Sequence, residues 1–228
     1  MDKPVFAGNT DTGFLKTAAF ITMLADHVGY LFFPDEILWR IIGRIAFPLF
    51  AYCLALGYCY TKNIKKYFIR LLCFALVSQI PYTFCFFPYE LNFPPDFVHL
   101  NIGFTMLLGL FAIWGIDRKK HLCTAIAVLL SFAPSVEYGF YGVAIMTVAY
   151  IFLHRDKASF GYAMGFAIAS PFFRYFIDGS FDLQGFAVLA LPFLLLSTKS
   201  KIKIPRWLNY GFYPLHLCVL ALIKRFIL

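Results

Sequence analysis

The sequence predicts an all-α fold: a polytopic integral membrane bundle of about nine transmembrane helices, with roughly eight to ten accommodated, in one membrane domain over residues 1–228. Three observations predict it. Hydrophobic residues make up 61% of the chain and charged residues 14%, with a mean hydropathy of +0.74. Soluble domains sit near half and a quarter, and too little polar chain remains here to cover a water-facing surface. Apolar runs near the length that crosses a ~30 Å hydrocarbon layer recur along the whole sequence. Basic residues, finally, cluster in alternate connections between those runs.

The first run, 14–33, reads FLKTAAFITMLADHVGYLFF. It does not have the form of a signal peptide, because residues 1–13 carry two acidic residues beside Lys3 and the run holds Asp26 and His27 with no small-residue cleavage pattern after it. The remaining runs fall at 39–60, 67–87, 99–116, 121–135, 138–153, 160–177, 183–198 and 207–227. The 121–135 run is short enough to be tilted, re-entrant or merged with its neighbour across Pro134. The longest connection, 88–98, contains Pro88, Pro94 and Pro95 and is expected to be irregular.

Connections after even-numbered runs hold Lys62, Lys65, Lys66, Arg118, Lys119, Lys120, Arg155, Lys157, Lys199, Lys201, Lys203 and Arg206. Those after odd-numbered runs hold Arg40 as their one basic residue, against Asp35, Glu36, Glu90, Asp96, Glu137, Asp178 and Asp182. The asymmetry places the N-terminus and the even connections in the cytoplasm. Lys224 and Arg225 fall at the outward end of the last run, where they snorkel to headgroups or indicate an even number of crossings. The formal charge of +8 therefore reads as topology, and no nucleic-acid partner is expected. Five of the six cysteines, Cys53, Cys59, Cys73, Cys123 and Cys218, sit inside apolar runs, and Cys85 lies near a run's end. No CxxC pair occurs, so they read as small buried hydrophobes.

Polar groups inside the runs are the candidate functional residues, because lipid disfavours them and turns them toward the bundle interior. Asp26 and His27 are adjacent, about 100° apart on a helix, so each is expected to meet another helix instead of its neighbour. A polar clamp, proton transfer and substrate binding are all open to them. Arg44, in GRIAFPLFAY, lies near the outward start of the second run at the estimated depth of Asp26. Gly43 permits close helix approach and Pro48 removes a backbone hydrogen bond. An Asp26–Arg44 ion pair is one reading of Arg44; stabilising an acyl carbonyl, a phosphate or a developing oxyanion is the other. His216, near the middle of the last run, is either a relay or substrate-binding group or a hydrogen-bonded packing residue.

Glu137, Tyr138 and Tyr141 read as an outward interface cluster, His99 and Asn101 as interface positions or as polar groups at the depth of Asp26 and His27, and Arg174 and Asp178, one turn apart, as a local ion pair or a contact for an anionic acceptor. His121 and His154 flank basic connections. No metal is expected, since the histidines are scattered and HExxH, Walker, dinucleotide-binding and serine-elbow patterns are absent from the sequence.

Together, LKTAAFITMLADHVGY, GRIAFPLFAY, LNIGFTMLLG, EYGFYGVAI and YGFYPLHLCVL resemble the TraX family of multi-spanning bacterial membrane proteins across nearly the whole chain. The resemblance implies residence in the bacterial cytoplasmic membrane. The family's namesake is associated with N-terminal acetylation of conjugative pilin, and the family is related in architecture to the broader membrane acyltransferase 3 superfamily. It therefore implies acyl transfer from acetyl-CoA or another acyl-CoA, supplied from the cytoplasm, to a protein or extracytoplasmic carbohydrate acceptor. Pilin itself is not implied as the acceptor.

Mapped onto this sequence, the resemblance nominates Asp26, His27, Arg44 and His216 as catalytic, with Arg44 also binding the donor. His27 would deprotonate the acceptor, Asp26 would tune the local charge, and His216 is the alternative base or a donor-positioning group. A transporter or assembly factor without covalent chemistry would use the same polar groups and is the rival reading.

Overall fold

In a computed structural model, the described residues are 6–87 and 98–227, without the side chains of Arg174, Asp178 and Ile227. Lys3, the connection at 88–97 with its three prolines, Glu90 and Asp96, and the Arg174–Asp178 side-chain pair lie outside them. Regular structure among the described residues is helical, and the one β feature there is an isolated bridge between Leu100 and Val136.

Helix α1 (Thr12–Phe32) begins at Asp11, whose carboxylate accepts the Phe14 amide at 3.0 Å. Helices α2 (Ile37–Gly43) and α3 (Ala46–Tyr60) together make the second run, broken at Arg44–Ile45. Pro48 explains the break: it has no N–H to offer the Arg44 carbonyl four residues back. Helix α4 (Ile64–Phe86) is capped by Asn63, and α5 (Ile102–Asp117) by Asn101. Then come α6 (His121–Ser131), α7 (Gly139–Phe152) and α8 (Lys157–Ala169), the last capped by Asp156. A 3-10 turn at Ser170–Phe173 leads to α9 (Arg174–Asp178), and a 3-10 stretch at Leu183–Ala190 leads to α10 (Leu191–Leu195). Helix α11 (Arg206–Ile227) ends the fold.

Each predicted run therefore contains helix, but 39–60, 160–177 and 183–198 are discontinuous. Among the described residues, two stretches, Ile37–Tyr60 and Ile64–Phe86, are apolar and long enough to cross a membrane. Others are shorter than the sequence pattern suggests. Helix α6, with 11 residues, spans about 16 Å at the usual rise, roughly half a hydrocarbon layer.

Helix α4 shows how the bundle treats its solvent. Its exposed stripe is apolar, formed by Ile69, Leu72, Leu76, Val77, Ile80 and Phe84, whereas its buried side includes Ser78, Gln79 and Thr83. A surface helix of a soluble protein has the opposite polarity. An apolar exterior with polar groups turned inward is the arrangement a hydrocarbon solvent selects.

Backbone contacts divide the chain into two compact units, Met1–Leu56 with Ile145–Ile204 and Gly57–Ala144 with Pro205–Leu228. In the first, α1 packs on α2, and the Leu183–Ala190 stretch packs on both α2 and α8. Gly29 lets α1 approach α2, since a Cβ there would overlap the Trp39 side chain. Buried Asn9 ties the segment before α1 to α10, donating its amide N–H to Leu194 at 2.7 Å and its side-chain Nδ2 to the Phe193 carbonyl at 3.0 Å. In the second unit, α4 packs on α5 and α11, and α5 packs on α6.

Candidate functional site

The first unit gathers three charged side chains where α1 meets α2. Residues 33–36 turn the chain, closed by the Phe33 amide donating to Gly29 at 3.0 Å and the Glu36 amide to Phe33 at 3.1 Å. Arg40 and Arg44 are four residues apart, so both can face α1. Arg40 Nη1 lies 2.8 Å from Asp26 Oδ2 and Arg44 Nη2 lies 2.6 Å from Asp26 Oδ1, so both carboxylate oxygens are engaged by guanidinium groups. Gly43 is required here, because a Cβ would overlap the Asp26 carboxylate. Arg44 extends the cluster by donating from Nη1 to Gln184 Oε1 at 3.0 Å and from Nε to the Arg40 carbonyl at 3.2 Å. Arg40 also lies over the Tyr30 ring, 5.1 Å from its centroid.

The side chains of Asp26 and Arg44 keep 12% and 13% of their exposure, so water screens this pair weakly; Arg40, at 27%, is more open. His27, the next residue on α1, is half-buried. Two members of the cluster were not singled out by sequence reasoning. Arg40 looked like the stray basic residue of an acidic connection, yet it lies within α2 and pairs with Asp26. Its spacing of four from Arg44 was the available signal. Gln184, 140 residues from Arg44, had none.

His216 belongs to the second unit, on α11, and is 8% exposed. Its Nδ1 lies 2.8 Å from the Phe212 carbonyl, and its ring stacks on Phe212 and meets the edge of Tyr213. A carbonyl only accepts, so Nδ1 carries a hydrogen, and in the neutral ring Nε2 carries the lone pair.

The same unit holds a neutral polar network. Asn101, fully buried, accepts the Gly103 amide at 2.8 Å while its Nδ2 donates to the Ala75 carbonyl at 2.8 Å and to Gln79 Oε1 at 2.7 Å. Gln79 Nε2 donates to the His99 carbonyl at 2.7 Å, and the His99 ring stacks on Phe87. His99 and Asn101 thus precede α5 as its cap and lead-in instead of forming its first turn. The Glu137 carbonyl accepts from Thr105 Oγ1. Tyr138 and Gly139, with φ of 60° and 46°, turn the chain into α7. In the first unit, His154 packs on Phe6.

No group of three or more His, Cys, Asp or Glu side chains among the described residues is placed to hold a metal ion; none of the six cysteines is in a disulfide, and Cys53 and Cys85 are buried as expected whereas Cys73 and Cys218 are exposed. An open cleft of about 380 Å³ lies between residues 10–13 and 198–203; it presents Lys199, Lys201 and Lys203, and its lining includes none of Asp26, His27 and Arg44.

The described residues thus define an all-α protein with two helices apolar and long enough to cross a membrane and, in its first unit, an aspartate paired with two arginines. This chain belongs to the TraX family: the family's model, described as "TraX protein", matches residues 11–224. It is similar to "Probable fimbrial assembly protein FimC, serogroup H1" of Dichelobacter nodosus, 28% identical over 248 residues, covering 93% of this chain and 95% of the relative. It is also similar to "Protein TraX" of Escherichia coli, 25% identical over 220 residues, covering 92% of this chain and 85% of that protein. No solved structure matches. Family membership and the two apolar helices are consistent with an inner-membrane location.

Proposed function

We propose that this protein is an integral-membrane acyltransferase that moves an acetyl or other short acyl group from a CoA thioester to a hydroxyl or amine on a protein or extracytoplasmic carbohydrate. The observation that carries the reading is the Asp26–Arg40–Arg44–Gln184 cluster, two guanidinium groups held by a carboxylate and a glutamine inside a chain of the TraX family. Guanidinium groups fixed in a low-dielectric site stabilise negative charge developing on an acyl oxygen, and they suit a donor phosphate equally.

In the proposed step, His27 accepts the proton of the acceptor O–H or N–H as that atom's lone pair attacks the thioester carbonyl carbon. A C–O or C–N bond forms, the C–S bond breaks, and the departing thiolate takes up the proton to leave as CoA thiol. Asp26 orients Arg44, which binds the donor or the developing oxyanion. His216 is the alternative base, with Nε2 as the accepting nitrogen. The charge alternation supports about nine crossings in a single membrane domain with the N-terminus in the cytoplasm.

The similarity to a protein named for fimbrial assembly favours a protein acceptor, and it also supports a second reading, an assembly factor without covalent chemistry. In that reading the Asp26 ion pairs are a packing clamp. One experiment separates the two. Reconstituted wild type is incubated with labelled acetyl-CoA and membrane extract from the native host, and label is followed into lipid, carbohydrate and protein fractions. Transfer is expected, with a loss of roughly 10²- to 10⁴-fold for the variant lacking the true base, whether His27→Ala or His216→Ala, at unchanged protein abundance. Arg44→Ala should lower turnover if it meets the oxyanion, or raise the acetyl-CoA requirement if it binds phosphate. Folded wild type that labels no fraction would sink the acyltransferase reading and leave the assembly factor.

A further inference from the structure

We infer that Gln184 contacts the substrate, its Nε2–H donating to the acyl carbonyl oxygen held beside Arg44. The inference rests on the acyltransferase reading and adds to it a residue that neither the sequence pattern nor the family match singles out. Its starting point is an imbalance. Gln184 Oε1 accepts from Arg44 Nη1 at 3.0 Å, and because a guanidinium can only donate, that contact fixes which way the amide is turned. Nε2 is then the branch of the amide turned away from Arg44 Nη1. It is buried, and it has no hydrogen-bond partner among the described residues. A buried donor left without an acceptor is rare in folded proteins and opposes folding, so its persistence asks for a group that binds there.

The backbone around Gln184 is built to hold it still. Asp182 Oδ1 accepts the Gln184 amide at 2.8 Å and opens the 3-10 stretch Leu183–Ala190. Eight residues is long for this helix type, whose runs usually stop at about three or four. A Cβ on Gly185 would run into the Phe172 ring, so the stretch is pressed against the preceding 3-10 turn, and it also packs on α2, α8 and α10. Gln184 is therefore anchored at its backbone N–H and at Oε1, and its remaining donor is presented without freedom to turn away. A fixed neutral donor beside a cation is what a carbonyl oxygen needs as it turns negative on attack. No proton leaves Gln184 in the step; its hydrogen bond shortens and strengthens as charge accumulates.

Two substitutions test the assignment. Gln184→Glu keeps an oxygen for Arg44 and removes the Nε2 donor; Gln184→Met removes both polar atoms and adds no charge. Both are purified with wild type in detergent and compared by thermal unfolding and by kcat and KM for transfer from labelled acetyl-CoA. The expected result is a fall in kcat of roughly 10²-fold in both variants with little change in KM, and an unfolding midpoint for Gln184→Glu equal to or above wild type. A purely structural glutamine gives the opposite pattern, a lower midpoint with kcat per folded molecule retained, and that overturns the inference. So does failure of both variants to fold. A folded Gln184→Met with full kcat overturns it even where Gln184→Glu is slow, because the slowing then belongs to the new carboxylate. Wild type without transfer brings down the acyltransferase reading itself, whereas active wild type beside equally active variants removes Gln184 alone.

Discussion

Each unit of the molecule buries a polar network, and the two are built on different chemistry. In the second unit, Gln79 and Asn101 are neutral, wholly buried and matched donor to acceptor with Ala75, His99 and Gly103. In the first, Asp26, Arg40 and Arg44 are charged, only partly shielded, and joined to a glutamine with an unmatched donor. A satisfied neutral network in an apolar bundle fixes one arrangement of helices and has nothing left to offer a ligand. A charged cluster with spare donor capacity holds helices less economically and keeps a binding capability. The difference marks the Gln79–Asn101 network as scaffold and the Asp26 cluster as the first unit's candidate site, while His216 is a candidate of the second unit outside that network.

The largest expected effect comes from stranding the arginines. Asp26→Ala leaves Arg40 and Arg44 facing each other with no carboxylate between them, and should lower stability by about 3 kcal/mol, the lower end of the cost of unpairing a buried charge, because Arg40 retains 27% exposure. Denaturant or thermal unfolding in detergent measures it. Adding Arg40→Met and Arg44→Met should restore most of the loss while abolishing transfer, which a scaffold alone does not predict. Should Asp26→Ala unfold like wild type, the cluster contributes nothing to helix packing and the contrast between the units fails on its structural side.

A smaller effect is expected in the neutral network. Asn101→Leu deprives the Ala75 carbonyl and the Gly103 amide of their side-chain partner and Gln79 Oε1 of one of its two donors, for a loss of about 2 kcal/mol. Transfer per folded molecule should persist in this variant. A variant as stable as wild type but inactive would make Asn101 part of the candidate site instead of the scaffold.

Helices were legible in the sequence because apolar runs announce them, but their continuity was not. Pro48 marked the break at Arg44 through its missing N–H, a local effect that a reader can locate. Leu183–Ala190 shows the limit: its apolar composition suits an α-helix, and the pressure of Phe172 on Gly185 that accompanies its 3-10 form comes from tertiary packing. The site divides in the same way. Asp26 and Arg44 stood out as charges within apolar runs. Arg40 was obscured because its acidic neighbours Asp35 and Glu36 made it look like part of a connection, and Gln184 because an uncharged residue at a run's edge looks like any polar boundary. Long-range pairing between 44 and 184 is the kind of information a single sequence withholds.

The smallest expected effect contrasts two aspartates of the first unit. Asp26 is held by cations, whereas Asp11 is held by neutral donors: the Phe14 amide at 3.0 Å, Ser200 Oγ at 2.9 Å, Thr198 Oγ1 at 3.3 Å and the Ser200 amide. Partial burial pushes the Asp11 carboxyl up, but the hydrogen bonds from Phe14, Ser200 and Thr198 outweigh it and hold it below the usual carboxylate range. A carboxyl depressed in the folded state stabilises the fold above its unfolded value, near 4, and that contribution disappears as pH falls through the lower folded value. Asp11→Ala should therefore cost about 1 kcal/mol at pH 7, the usual penalty for losing a helix cap, with the gap from wild type narrowing below about pH 4. Unfolding midpoints of both proteins between pH 7 and pH 3 measure the gap. A gap that stays constant down to pH 3 would mean that the carboxylate's charge is irrelevant to the clamp, and the two aspartates would then differ in geometry alone.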